Sequence, residues 1–222
     1  MIVNVKRFAV QNKTSFMNVS TKELLVATRN AGKLREVQAL LADLPVRLLS
    51  LAEFPATTEV EETGRTFAEN AALKASDYAA QTGCLTLADD SGLEVEALGG
   101  APGVLSARYA GEGASDQERN TRLLDELAQT GDVARRARFV CAIAIADEQG
   151  EILNISRGTC EGRIGDGPRG GNGFGYDPLF IPDGYAQSFG ELSEEIKGRI
   201  SHRARALEGA RAFLLGHFRR SA

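Results

Sequence analysis

The sequence predicts an α/β protein, because segments with the periodicity of strands alternate along the chain with segments of helical periodicity. Residues 23–27 (ELLVA) are apolar apart from Glu23, and they precede a turn and an amphipathic helix. Residues 84–88 form a second apolar run, typical of a buried strand, and follow a helix predicted at 67–81. Farther along, apolar segments on both sides of residues 147–150 indicate a β-hairpin.

The composition is that of an ordinary globular protein. The 222 residues suffice for one domain, or one domain with two lobes, and 43% of them are hydrophobic. We expect residues 22–220 to form a single two-lobed domain. Residues 1–21 are expected to be a poorly ordered N-terminal extension, and translation from Met17 instead of Met1 is an open alternative.

Charge and residue usage argue against several classes of partner. The formal net charge of −4 disfavours nucleic acid and anionic membranes. The longest apolar run, residues 139–146, is shorter than the about 20 residues of a transmembrane helix. The cysteines are widely spaced without a C-x-x-C pair, which favours free thiols in a reducing cytoplasm. The two histidines are too far apart to predict a zinc site.

The turn after the first strand is a candidate phosphate-binding element. It comprises Thr28, Arg29, Asn30, Ala31, Gly32 and Lys33, and a helix ending before Pro45 follows it. At the start of a helix, unpaired N–H groups and the positive end of the dipole attract anions. Lys33 would add a full charge. The alternative is a plain connection with Asn30 as the helix cap.

A second candidate cluster lies around the next helix. A strand is predicted at 46–50, and the acidic loop at 59–64 leads to Thr66 and Glu69, which form a capping box for the helix at 67–81. Asn70, Lys74 and Asp77 share one polar face of that helix. Such a face is usually only solvated, but here it lies between the acidic loop and the following acidic segment, so Lys74 is a candidate functional residue.

That acidic segment is the centre of the sequence. The apolar run at 84–88 leads into Asp89-Asp90-Ser91-Gly92, which we predict to be a turn, and a strand with period-2 alternation follows. Carboxylates at the end of a strand suit metal binding or water activation. The alternative is that these residues form only a solvated turn without a functional role. Since neighbouring strand residues point to opposite faces, only one of Asp89 and Asp90 is expected to face a metal, unless the turn twists both towards it.

The C-terminal half adds a glycine-rich loop and a charged helix start. Ser115 and Glu118 predict a capped helix, and strands are predicted at 138–146, 151–156, 159–164 and 179–181. The loop at 165–177 carries Phe174 and Tyr176, aromatic side chains that would stack on a planar ring or tuck into the core. Ser193 is predicted to cap a short helix ending near residue 198. Ser201 is predicted to cap the last helix, whose first turn holds His202 and Arg203.

Together these segments resemble the inosine triphosphate pyrophosphatases, the pyrophosphatases of non-canonical purine nucleoside triphosphates. The resemblance covers about residues 22–218, and Arg29 stands where many members have Gly. It rests on the order and spacing of these motifs: Thr28-x-Asn30-x-x-Lys33; Glu62 with Glu69-Asn70-Ala71-x-x-Lys74-Ala75; Asp89-Asp90-Ser91-Gly92-Leu93; Gly100-Ala101-Pro102-Gly103 with Ser106-Ala107-Arg108-Tyr109; Gly173-Phe174-Gly175-Tyr176-Asp177-Pro178; and Lys197 with Ser201-His202-Arg203.

The resemblance implies an elongated mixed β-sheet flanked by helices, with two lobes and the active-site cleft between them. It implies a cytoplasmic homodimer that hydrolyses ITP, dITP and XTP to the monophosphate and pyrophosphate with Mg²⁺, cleansing the nucleotide pool. Asp90 would be the catalytic residue and, with Glu62, a metal ligand, and Glu61 is the less favoured ligand. The implied substrate-binding residues are Thr28, Arg29, Asn30, Ala31, Gly32, Lys33, Lys74, Ser91, Phe174, Gly175, Tyr176, Asp177, Lys197, His202 and Arg203.

Other functions stay open at this point. A related pyrophosphatase for modified pyrimidine nucleotides is the nearest alternative among enzymes. A nucleotide sensor without turnover is another, although the acidic residues and both lysines argue against it. A structural or nucleic-acid-binding role has little support, given the net negative charge.

Overall fold

The computed structural model of the protein describes residues 22–220, so the expected extension at residues 1–21 lies outside the described residues. The described chain contains strands and helices in mixed order. The strands are β1 (Lys22–Val26), β2 (Val46–Ser50), β3 (Thr86–Val95), β4 (Arg136–Ala146), β5 (Ile152–Ile164) and β6 (Phe180–Pro182). The α-helices are α1 (Ala31–Leu40), α2 (Phe67–Thr82), α3 (Asp116–Thr130), α4 (Glu194–Ile200) and α5 (His202–Arg220).

All six strands belong to one mixed sheet, as predicted. The order is β2-β1-β3-β4-β5-β6. The first three neighbours run parallel, and the pairs from β3 to β6 are antiparallel. Three short 3₁₀ turns interrupt the loops, at Leu51–Glu53, Glu96–Leu98 and Gly103–Arg108. Within residues 22–220, no helix is both long and apolar enough to cross a membrane.

The core has three parts. On one face of the sheet, α1 and α5 pack against β1 and β3, through side chains such as Val37 and Leu214. On the other face, α2 packs through Phe67 and Ala71. A third cluster lies around the end of β3, α3 and the segment from Tyr176 to Leu192. The two helices that follow β1 and β2 therefore cover opposite faces of the sheet.

The acidic segment is not a turn, and this prediction was wrong. Asp89, Asp90, Ser91 and Gly92 lie inside β3, paired residue by residue with β4. Asp, Ser and Gly favour turns only weakly, whereas β4 offers a continuous antiparallel partner for all ten residues of β3. The ladder of backbone hydrogen bonds therefore decides the conformation.

A second correction concerns β5, which we predicted as two strands at 151–156 and 159–164. It is continuous, and Gly158 lies in its middle opposite Cys141. A Cβ atom on Gly158 would overlap the backbone of α5 at His202 and Ala206. The glycine is there so that a helix can pack directly on the strand, and it does not end the strand.

The sheet opens a crevice at the end of β1. From β1 the chain goes through α1 to β2 on one side, and it returns through α2 to β3 on the other. β1 ends at Val26, opposite Leu87, while β3 continues for eight residues more, to Val95. Ligands of open α/β sheets bind at such a point, outside the carboxyl ends of parallel strands.

Candidate active site

The turn after β1 is held in shape by its own side chains. Asn30 caps α1, since its Oδ1 accepts a hydrogen bond from the backbone N of Lys33 at 3.0 Å. The hydroxyl of Thr28 accepts from the N of Asn30 at 3.2 Å. Ala31 and Gly32 begin the helix, and the N-terminus of a helix carries unpaired N–H groups and the positive end of the dipole. Asn30 is thus both the helix cap and part of the cleft wall.

The side chain of Arg29 leaves this site. It donates to the carbonyl oxygen of Thr57 at 3.1 Å, on the exposed surface. Lys33 instead turns inward, and its Nζ lies 3.2 Å from Oδ2 of Asp89. Of the two cations in the turn, the one that reaches the crevice is therefore Lys33.

Lys74 joins two carboxylates from separate segments. Its Nζ lies 2.8 Å from Glu62 Oε1 and 3.1 Å from Asp90 Oδ1. Asn70, one helical turn earlier on α2, donates to Asp90 Oδ2 at 3.2 Å and accepts from the backbone N of Gly64 at 2.7 Å. The polar face of α2 thus orients Asp90 through Asn70 and Lys74. It orients Glu62 through Lys74 and through the loop that carries Glu62.

Burial and charge pairing shift the pKa values of this cluster in opposite directions. Burial raises the pKa of Asp90, and the ammonium groups of Lys74 and Lys33 offset part of that rise. Burial also acts to lower the pKa of Lys74, but Asp90, Asp89 and Glu62 outweigh it and leave that pKa raised. Lys74 therefore stays charged, while Asp90 is a stronger base than an exposed carboxylate.

Asp89 belongs to a second, buried charge network. Its Oδ2 accepts from Nε and NH2 of Arg203 at 3.2 and 3.1 Å. Arg203, 1% exposed, also donates to Ser91 Oγ at 2.8 Å and forms an ion pair with Glu36. Glu36 pairs in turn with Lys197, 2.7 Å from its ammonium group. Sheet, α1, α4 and α5 thus meet in one network of charges.

The network holds its carboxylates ionised. Burial acts to raise the pKa of Asp89, but Lys33, Arg203 and Lys74 together hold that pKa far below its usual range. Burial likewise opposes the ionisation of Glu36, and Arg203 and Lys197 still lower its pKa. The carboxylates offset the burial of Arg203 and raise its pKa. Breaking one partner would leave an uncompensated buried charge.

Aromatic and polar side chains line the other end of the cleft. The ring of Phe174 lies 4.9 Å from Nζ of Lys197 and 5.8 Å from the guanidinium of Arg203. Asp177 is 2% exposed, accepts from the backbone N of Phe174 at 2.8 Å and pairs with Lys197 at 2.5 Å. Burial raises the pKa of Asp177, and Lys197 counteracts it.

His202 is buried in the same wall. Its ring stacks on Phe139 with a centroid distance of 4.6 Å. Its Nδ1 has no hydrogen-bond partner among the described residues. Burial, together with the charges of Arg203 and Lys197, lowers its pKa well below the usual value, so the imidazole is neutral at physiological pH. A neutral ring with an open nitrogen can exchange a hydrogen bond with a ligand.

Tyr176 also borders the cleft, but its hydroxyl is used for a contact within the protein. It is 4% exposed, and its hydroxyl donates to the backbone oxygen of Ser106 at 2.9 Å. The two aromatic residues of the glycine-rich loop therefore differ in role, one packing in the core and the other open to stacking. Tyr176 anchors the loop in the core, and Phe174 remains available to a planar ligand.

These elements enclose a cleft of about 170 Å³, which contains most of the sequence-predicted residues. A neighbouring cavity of about 400 Å³ lies between α1 and α4. Phe174 and Lys197 line both, so the aromatic ring stands between the two spaces. The lining of the smaller cleft includes Asn30, Lys33, Glu62, Asp90, Ser91, Phe174, Gly175, Tyr176, Asp177, Lys197, His202 and Arg203.

Two residues of the site escaped the sequence reasoning. Glu36 bridges Arg203 and Lys197, and its signal was its position one helical turn after Lys33 on α1. Asn70 orients Asp90, and it was recognised as part of a polar face but given no role. Glu36 and its partners are 161 and 167 residues apart, and pairing over such a separation leaves no trace in the local pattern.

Magnesium fits the donor set of this site. Among the described residues, His, Cys, Asp and Glu form no group of three or more that could hold a metal. Glu62 and Asp90 nevertheless converge on one ammonium group, and two carboxylates completed by phosphate oxygens and water suit Mg²⁺. Glu61 makes no such contact in its place among the described pairs.

Comparison with known proteins identifies the family. The model of the Ham1 family matches residues 24–213. The chain belongs to the Ham1 family.

Individual Ham1-family relatives agree with that assignment. A dITP/XTP pyrophosphatase of Exiguobacterium sibiricum is 52% identical over 192 residues, covering 86% of this chain and 96% of the relative. One of Geobacter sulfurreducens is 53% identical over 184 residues, covering 83% and 92%. Among solved structures, a HAM1 protein from Coxiella burnetii has a TM-score of 0.81 at 44% identity, covering 88% of this chain and all of the other. The family match at residues 24–213 includes every residue that lines the cleft.

Proposed function

We propose that this Ham1-family chain hydrolyses ITP, dITP and XTP to the monophosphate and pyrophosphate, and so removes non-canonical purine nucleotides from the pool. One observation carries the proposal. Glu62 and Asp90, both paired with Lys74, line the same cleft as Phe174 and Arg203. The group around Lys74 suits a triphosphate and the group with Phe174 a purine base, and the names of the similar relatives point the same way.

The phosphate end provides charge without a preformed metal cage. The N-terminus of α1 supplies backbone N–H groups and the positive end of a dipole. Lys33 and Lys74 add two ammonium groups, each now paired with a carboxylate of β3. A triphosphate entering the cleft would exchange these partners for its own oxygens. The leaving pyrophosphate needs this neutralisation most, because negative charge develops on it during attack at the α-phosphorus.

Asp90 is the proposed catalytic residue, and with Glu62 it would hold Mg²⁺. Asn70 and Lys74 fix its carboxylate from one side, so it can orient a water molecule or accept its proton. An unperturbed Asp has a pKa of about 3.9 and is a weak base, and the raised pKa of Asp90 improves it. When bound, Mg²⁺ would neutralise phosphate charge and polarise the attacked phosphoryl group.

The base end can distinguish purines by their hydrogen-bonding edges. Hypoxanthine and xanthine present an N1–H donor and an O6 acceptor, whereas adenine presents the reverse pattern. Asp177 is available as an acceptor and Lys197 and Arg203 as donors, with Phe174 beneath the ring. These groups are now paired within the protein, so a base must replace the partners that it displaces. Adenine cannot replace them, and a buried polar group left unpaired costs more than a lost contact.

Steady-state kinetics over a panel of nucleotides tests the substrate class. With Mg²⁺ present, kcat/KM for ITP, dITP and XTP should exceed that for ATP and GTP by about 10²-fold or more. Turnover of dTTP or UTP in preference to ITP would instead support the alternative of a pyrophosphatase for modified pyrimidine nucleotides. Binding of ITP without turnover would favour the sensor.

Magnesium and assembly are separate parts of the proposal. Removal of divalent cations with EDTA should abolish turnover, and Mg²⁺ alone should restore it. Glu62→Gln should raise the Mg²⁺ concentration for half-maximal rate by about tenfold, as expected when about 1.4 kcal/mol of binding is lost. We also propose a cytoplasmic homodimer, which sedimentation at several concentrations would test.

A further inference from the structure

The tip of the glycine-rich loop is shaped by its own residues. The backbone N of Phe174 donates to Asp177 Oδ2 at 2.8 Å, and the N of Asp177 donates back to the oxygen of Phe174 at 3.2 Å. These bonds define a local turn. They do not decide where the turn lies relative to the cleft.

The residue after Phe174 is held from outside the loop, by α3. The backbone N of Gly175 donates to Asp116 Oδ2 at 2.7 Å. The oxygen of Gly175 accepts from Nδ2 of Asn120 at 3.1 Å. Asp116 and Asn120 are four residues apart, so they lie on one face of the helix. A single helix face therefore binds both polar groups of one loop residue.

Asn120, which binds the oxygen of Gly175, is a buried polar residue. It is 5% exposed, and its Oδ1 lacks a hydrogen-bond partner among the described residues. A buried amide with an unpaired oxygen lowers stability. Within residues 22–220, the hydrogen bond to Gly175 is the one that its side chain makes.

Helix α3, which holds Gly175, is itself fixed in position. Ser115 and Glu118 cap it reciprocally, so Asp116 is not needed as the cap. Arg119 pairs with Asp116 and donates to the oxygen of Ala107 at 3.0 Å. Leu123 and Leu127 are buried in the core beneath. The position of Gly175 is thus tied to a packed helix.

The ring held by this arrangement touches the phosphate-binding turn. A Cβ on Gly32 would lie 2.5 Å from Cδ1 of Phe174, so the ring packs on the first turn of α1. The same ring lies beneath Lys197. A small shift of Gly175 would therefore move the Phe174 ring relative to both Gly32 and Lys197.

We propose that Asp116 and Asn120 are positioning residues for the nucleobase, which act by holding Gly175 so that Phe174 presents its ring to the base. This inference rests on the proposed function, in which Phe174 stacks on a purine. Among the described contacts neither residue bonds to Asp90, Glu62 or Lys74, although Asp116 also lines the cleft. They set the affinity for the base and leave the chemistry at Asp90 unchanged.

Kinetic separation of base and phosphate binding tests the proposal. Asn120→Leu removes the donor at similar size, and Asp116→Ala removes the acceptor. Each should raise KM for ITP by about five- to tenfold, the value of one hydrogen bond, with kcat retained. The inhibition constant of tripolyphosphate, which has no base, should not change. Asp116→Asn keeps an acceptor oxygen and should restore most of the affinity.

A fluorescent reporter tests the loop position without turnover. The chain contains no Trp, so Phe174→Trp introduces a single indole at the tip. Adding Asn120→Leu or Asp116→Ala should shift its emission to the red and lower its anisotropy. Gln129→Leu, an amide-to-leucine change at an exposed position of α3, should leave both signals and the KM unchanged.

Each result decides one point. Unchanged KM and unchanged indole emission in both variants would overturn the positioning role. An equal rise in KM for ITP and in the inhibition constant of tripolyphosphate would show general loosening and overturn it as well. If the wild type fails to hydrolyse ITP, the proposed function fails. In that case the emission of the indole introduced by Phe174→Trp still shows whether α3 positions the loop. If Asn120→Leu does not fold, the comparison of Asp116→Ala with Asp116→Asn decides whether α3 positions the loop.

Discussion

Asp89 and Asp90 are consecutive residues of one strand, and their carboxylates serve opposite faces of the sheet. Asp89 meets Lys33 and Arg203 on the side of α1 and α5, whereas Asp90 meets Lys74 and Asn70 from α2. The alternation of strand side chains therefore assigns one carboxylate to the buried network and the other to the proposed chemistry. Two adjacent acids acquire opposite pKa shifts from the two environments.

Replacing Asp90 should remove catalysis while the protein stays folded. We expect Asp90→Asn to lower kcat on ITP by about 10²- to 10⁴-fold, the usual contribution of a general base. The amide can still hydrogen-bond to Asn70, so the thermal midpoint should stay close to that of the wild type. Asp77→Asn, an exposed position on α2, is the matched control. Wild-type-like kinetics in Asp90→Asn would remove Asp90 from the mechanism.

Arg203 should affect both selectivity and stability. Arg203→Ala removes a donor to the base and leaves Asp89 paired with Lys33 and Glu36 paired with Lys197 as their remaining ion pairs among the described residues. We expect the preference for ITP over ATP and GTP to fall, and the free energy of unfolding to drop by about 3 kcal/mol or more. Urea unfolding at pH 7 and competition kinetics measure the two effects. Unchanged selectivity in a folded variant would exclude Arg203 from base recognition.

The buried acids predict a loss of stability in acid. The folded-state pKa values of Asp89 and Glu36 are depressed, so their contribution is present above the unfolded values of about 3.9 and 4.3 and is lost as pH falls below them. The free energy of unfolding should therefore fall steeply below about pH 4. In Asp89→Asn the curve should start lower at pH 7 and fall less steeply. An equally steep fall in that variant would contradict the pairing.

Gly32 tests the contact between Phe174 and α1. An alanine inside a helix normally stabilises it by about 0.5–1 kcal/mol. Gly32→Ala should instead destabilise by about 1–3 kcal/mol and raise KM for ITP, because its Cβ would press on the Phe174 ring. Gly216→Ala on α5, where the nearest atom would be 3.7 Å away, should be neutral or stabilising. Equal behaviour of the two variants in thermal melts would refute the close contact.

The local elements were largely predictable because their signals are local. The capping boxes at Thr66 and Ser115 form as their spacing predicts, and Ser193 caps α4. β2 matches its predicted bounds. These patterns depend on interactions within one turn of the chain, which a sequence displays directly.

The errors came from long-range pairing. The sequence around Asp89 favours a turn, but the ladder with β4 is formed by residues about fifty positions later. The two strands predicted at 151–156 and 159–164 are one continuous strand, and the glycine between them, Gly158, is explained by the approach of α5. Glu36 received no role from the sequence, because its partners Arg203 and Lys197 are distant along the chain. In each case a contact distant in sequence outweighs local propensity.

Product analysis with Mg²⁺ and ITP, beside ATP and GTP, tests the central claim most directly. The products should be separated so that pyrophosphate is distinguished from orthophosphate. We expect IMP and pyrophosphate from ITP, with ATP nearly untouched. IDP and orthophosphate would mean attack at the γ-phosphorus and would contradict the proposed mechanism, and inertness towards every purine nucleotide would contradict the proposed substrate class.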